Sequence, residues 1–160
     1  MGSRLPPSRN LGYVAAGGAV GAVARVALAT WFPALPGGLP WVTLVENLVG
    51  AFLLALVLTL LTERLALDPA VRLLVCTGML GAFTTYSTLA VELDRLLSAG
   101  ALAVAGTYGA LTLVGGLSAA LAGLRLGQVL SAPHRHATNR PPRGTRRRRG
   151  LGRRPEGGGR

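Results

Sequence analysis

Four long apolar runs leave this 160-residue chain few folds to choose from. A helix needs about 20 mainly apolar residues to cross a bilayer. Residues 11–32, 41–62, 70–97 and 101–126 each meet that requirement. The first run carries one charge, Arg25, and the second has Glu46 near its start. The third is uncharged from Leu73 to Val91 and the fourth from Ala101 to Leu124. No strand-period alternation competes with these runs. The expected fold class is therefore an all-α membrane protein with four transmembrane helices.

The connections suit that reading. "PALPGGLP" places Pro33, Pro36 and Pro40 between the first two runs, where each ends or opens a helix. "TERLALDPAVR" is a polar link in which Pro69 fits the first turn of the third helix. "SAGA" is a tight link to the fourth. The opening "MGSRLPPSRN" bears two Arg before an apolar run, as a signal peptide does, but no small-x-small site there precedes a soluble mature domain, and more apolar runs follow. The first run is expected to stay as a membrane helix.

Charge divides the chain into three parts: a short cytoplasmic N-terminus (1–10), a four-helix apolar domain (11–127) and an Arg-rich tail (128–160). Ten of the 17 Arg lie between His134 and Arg160, and they supply most of the net charge of +11. Such a segment buries too little apolar surface to offset ordering entropy, so disorder is expected. It fixes topology, with anionic lipid as a candidate contact; no nucleic acid is expected. His134 and His136 belong to this solvated tail. Arg4, Arg9, Arg64, Arg72 and Arg125 would share one face of the membrane, against Arg95 and Arg25 on the other. The positive-inside rule then places both termini of this multi-pass chain in the cytoplasm. A single cysteine, Cys76, excludes an internal disulfide and a cysteine zinc site. Nothing resembles a nucleophile–base pair, a metal-ligand cluster or a phosphate loop, so an enzyme is not expected.

Small residues recur at helical spacing. Gly17, Gly21 and Arg25 are four apart, with Gly18 and Ala22 on a neighbouring stripe, and Gly115, Ala119 and Gly123 repeat the pattern. In lipid, small residues let helix backbones approach closely.

Polar residues inside the apolar runs are the chemical signal. "GMLGAFTTYSTL" (78–89) crowds Gly, Thr and Ser into the middle of the third run. Non-helical backbone at that depth is tolerated only where protein or a watery cavity satisfies it. A break over Gly81–Thr88 would bare carbonyls for a cation, and amides and hydroxyls for an anion. Asn47 sits inside the second run, suited to interhelical bonding or pore lining. Arg25 and Glu46 are expected to pair across the short turn. Tyr108 and Thr112 share a face of the fourth helix, with Ser118 taken as extending that hydroxyl stripe.

Three motifs, "GGAVGAVARVAL" (17–28), "TLVENLVGAF" (43–52) and "GMLGAFTTYSTLAVE" (78–92), resemble those of the Fluc/CrcB fluoride ion channel family in content and order. The resemblance covers about residues 11–127. It implies four-helix subunits with a break in the third helix, pairing as an antiparallel, dual-topology dimer with two fluoride pores. It also implies a structural Na+ at the dimer interface, held by backbone carbonyls of Gly81 and Thr84 from both subunits. The family's pore asparagine falls on Asn47 and its arginine on Arg25. Its two fluoride-facing phenylalanines fall on Tyr86 and Leu89. The implied hydroxyl track is Ser87, Thr88, Tyr108 and Thr112. Two departures stand out. Leu89 has no electropositive ring edge, and Glu46 replaces an apolar residue beside Asn47.

The implied function is passive export of cytoplasmic fluoride, protecting the cell from its toxicity. The heavily charged tail suggests one fixed orientation, so the expected assembly is a homodimer or a heterodimer with an oppositely inserted paralogous subunit. Two other readings remain open: a non-conducting partner subunit, and a small four-helix drug or cation exporter. The exporter would need an embedded carboxylate in the first helix, which is lacking.

Overall fold

The computed structural model describes residues 7–35, 37–63 and 69–131, which are helical apart from short turns and one break. Helix α1 spans Pro7–Trp31 and α2 spans Trp41–Glu63. The third span is composite. It comprises α3 (Pro69–Arg72), a π-helical segment Leu73–Leu80, α4 (Gly81–Phe83) and, after two extended residues, α5 (Tyr86–Ser98). Helix α6 (Leu102–Ser131) completes the chain's described part. With Pro69–Ser98 taken as one span, four helices are long and apolar enough to cross a membrane. The protein is thus an all-α, multi-pass membrane protein, as expected.

Three boundaries differ from the sequence reading. Helix α1 begins at Pro7, inside the expected N-terminal segment, because proline's fixed φ suits a first helical turn. Helix α6 continues to Ser131, beyond the expected end at 127, since no proline intervenes before Pro133. The break is narrower than Gly81–Thr88: only Thr84 and Thr85 are extended, while Gly81–Phe83 and the residues from Tyr86 are helical. The tail, expected to be disordered over 128–160, has its first four residues in the last turn of α6; residues 132–160 lie outside the described residues, as do residues 1–6.

The turns follow their residue chemistry. Between α1 and α2, Gly37 takes a φ of +71° and the Gly38 N–H bonds to the Leu35 carbonyl at 3.0 Å. At the end of α5, Gly100 also takes φ +71°. Its N–H bonds to Leu97 at 3.0 Å, and that of Ala101 bonds to Leu96 at 2.9 Å. This pair of bonds is the Schellman arrangement, which satisfies the last helical carbonyls and sends the chain sharply back.

Glycine contacts decide which helices touch. Added methyls at Gly17 and Gly21 of α1 would overlap the carbonyls of Leu74 and Met79. From the other side, a methyl at Gly78 would come within 2.6 Å of the Val14 carbonyl. So α1 lies backbone to backbone on the π-helical segment. In the same way Gly123 of α6 faces the Phe52 carbonyl of α2, and Gly127 faces Thr59. Gly18, expected on a neighbouring stripe, has open space before it. The bundle is thus two glycine-paired couples, α1 with Leu73–Leu80 and α2 with α6. Where α2, α5 and α6 meet, Leu44, Leu96, Ala105 and Tyr108 form a buried cluster. Most outward apolar side chains are exposed, Trp31 and Trp41 among them at helix ends, where amphipathic rings suit the bilayer interface.

A Gly17→Ala substitution should destabilise the protein by about 1–3 kcal/mol through overpacking, whereas Gly18→Ala should not. Reversible unfolding in mixed detergent micelles measures both.

Candidate functional site

The break in the third span is built around Asn47. Its amide Nδ2 donates to the Thr85 carbonyl at 3.0 Å, and the Thr85 N–H donates to its Oδ1 at 2.8 Å. One side chain on α2 thus takes both backbone groups of a residue 38 positions away. Thr85, at 9% exposure, has no water to turn to. Its hydroxyl then starts the next helix: Oγ1 accepts from the Thr88 N–H at 3.1 Å, as an N-cap does. It also donates to the Thr88 hydroxyl at 3.0 Å and shares a 3.2 Å contact with that of Ser87. Thr84 is tied back instead, its N–H and hydroxyl both donating to the Leu80 carbonyl at 3.1 Å.

These bonds divert two helical donors. In a continuous helix the Thr85 N–H would close on Gly81 and the Thr88 N–H on Thr84. Here the first goes to Asn47 and the second to the Thr85 hydroxyl. The carbonyls of Gly81 and Thr84 therefore lose their i+4 helical partners. Those are the two carbonyls named for a cation, so the chain's hydrogen bonding fits a carbonyl-held metal ion. Gly81 is exposed and Thr84 half-buried.

A second polar group lies deeper in the bundle. The Tyr108 hydroxyl of α6 donates to Glu92 Oε2 at 2.6 Å, and Thr43 of α2 donates to Glu92 Oε1 at 2.8 Å. Tyr108 is fully buried. The carboxylate of α5 is thereby held by hydroxyls from both neighbouring helices. Glu92 and Thr43 received no role from the sequence, although each lies in a quoted motif. Glu92 near an apolar run's end reads as an interfacial charge, and nothing local shows that α2 and α6 reach it.

The remaining candidates spread out. Tyr86 is 83% exposed on the outer surface, and Leu89 packs against the Leu44–Tyr108 cluster. Ser87 is exposed and Thr88 half-buried. Thr112 keeps its hydroxyl buried without a hydrogen-bond partner, one turn from Tyr108. Ser118 does not continue that stripe: it is exposed and bonds back to Val114 of its own helix. Six residues from Thr112 is well past a whole helical turn, which puts it on another face.

The expected ion pair between Arg25 and Glu46 is not formed. Both line one cavity, but Arg25 Nε and Glu46 Oε1 are each buried without a hydrogen-bond partner. The reason is packing: α1 lies on the π-helical segment and α2 on α6, so α1 and α2 touch little despite their short link.

Fold and site together define a polytopic membrane protein whose backbone break and polar side chains face one another across helices. Over residues 12–124 the chain matches the sequence profile described as CrcB-like protein, Camphor Resistance (CrcB), and it belongs to that family. It is similar to a protein of Agrobacterium fabrum named "Fluoride-specific ion channel FluC", with 40% identity over 76% of this chain and 98% of the relative. A relative of the same name from Deinococcus radiodurans is 47% identical over 74% of this chain and 94% of its own length. "Fluoride-specific ion channel FluC 2" of Nocardia farcinica is 39% identical over 78% and 88%.

Removing the Tyr108 hydroxyl with Tyr108→Phe should lower stability by about 1.5–3 kcal/mol, the range for a hydrogen bond to a charged group. Thr43→Val should couple to it non-additively in a double-mutant cycle followed by micelle unfolding.

Proposed function

We propose that this chain is a subunit of a fluoride-selective channel that lets cytoplasmic fluoride leave passively. The observation that carries the reading is the Asn47–Thr85 clasp at the broken third span, in a chain whose relatives bear the name of that channel. Fluoride holds its hydration shell tightly, and a pore must replace that shell with oriented donors that still release the ion. Asn47, Thr88, Ser87 and Thr112 are donors of this kind around the break.

In this reading two subunits pair in opposite senses in the cell membrane. The Gly81 and Thr84 carbonyls of both hold a Na+ between two fluoride paths. The diverted helical donors support that role. The arginine bias supports cytoplasmic termini, and the partner is a second copy or an oppositely inserted relative. A second reading, a poorly conducting subunit of a heterodimer, is favoured by Leu89, which packs into the apolar cluster where the family has a ring.

Fluoride efflux from liposomes containing only this chain tests both, with chloride as control. Rapid fluoride efflux without chloride efflux is expected. Asn47→Ala should lower the rate by at least about tenfold, because it removes both hydrogen bonds that hold the break open. Efflux appearing only when an oppositely oriented relative is added would support the second reading. No efflux in either case would refute the channel.

A further inference from the structure

Glu46 is unlike Glu92, the carboxylate held by two hydroxyls. It is 3% exposed, and its Oε1 is buried with no hydrogen-bond partner. A buried charge without a donor is unfavourable, so the surroundings must balance it. A cavity of about 330 Å³ shows what they are: Glu46 and Thr43 of α2 share it with Arg25 of α1 and with Thr88, Glu92 and Arg95 of α5. Helix α6 presents Tyr108, whose hydroxyl is committed to Glu92. Helix α4 offers only apolar Phe83 to the neighbouring cavity that Glu46 also lines.

The two carboxylates in this chamber are not alike. Glu92 accepts hydroxyl bonds from Thr43 and Tyr108. Glu46 shares the chamber with a guanidinium whose Nε is equally bare. Two arginines and two glutamates make the chamber formally neutral. Thr88 joins it to the break, since that residue bonds directly to Thr85 and so adjoins Asn47. A chamber of one sign concentrates counter-ions, and a neutral one does not.

We propose that Glu46 sets the charge of this chamber and thereby limits anion entry to the path beside Asn47. Losing that single negative charge leaves the chamber positive and admits more anion. The inference rests on the channel reading above. Because the effect is electrostatic, it weakens as salt rises.

Fluoride currents through the full chain in planar bilayers test this, since neutral hydrogen fluoride carries no current. Glu46→Gln should raise the current by about fivefold at low ionic strength, with a smaller gain at high ionic strength. Arg25→Gln should lower the current, and adding Glu46→Gln should restore it. Glu46→Val is a second neutral variant if the first does not assemble. A conducting wild type whose current neither neutral variant changes, at low or high salt, overturns the inference and leaves the channel reading intact. Silence from the wild type and every variant, also with an oppositely oriented relative added, overturns both.

Discussion

A broken helix inside a bilayer survives only if its freed peptide groups find partners, and here one asparagine supplies them. Asn47 bonds both the N–H and the carbonyl of Thr85. Without that clasp the cheapest arrangement for residues 81–88 is continuous helix, because lipid offers no hydrogen bonds. With it, Thr85 is free to cap α5, and the chain restarts immediately. The carbonyls of Gly81 and Thr84 are left available as a consequence. The polar site is thus the remainder of a local hydrogen-bond exchange between α2 and the third span.

The glycine contacts hold that exchange in register. Gly17, Gly21 and Gly78 bring α1 against the π-helical segment, and Gly123 and Gly127 bring α6 against α2. Close backbone approach of this kind tolerates no added methyl, so the relative depth of the helices is fixed. Gly50, one turn beyond Asn47, lies where a methyl would overlap the Thr84 side chain. The same turn of α2 therefore both grips the break and makes room for it.

Much of this was legible in the sequence. Apolar length alone gave four spans, and the density of Gly, Thr and Ser located the break. What stayed hidden depended on tertiary neighbours. The narrowing of the break to Thr84 and Thr85 follows from Asn47, which is far away in sequence. The π-helical turn over Leu73–Leu80 has no local residue signature. Glu92 received no role because its partners, Thr43 and Tyr108, lie on two other helices. The Arg25–Glu46 pair failed because adjacency along the chain did not make α1 and α2 packing neighbours. Ser118 failed on helical phase.

The most direct measurement of the central claim is a high-resolution density map of the full chain in lipid nanodiscs. It should show Thr84 and Thr85 extended, with the Asn47 amide bonded to both backbone groups of Thr85. Continuous helical density from Leu73 to Ser98, with Asn47 turned away from it, would contradict the account.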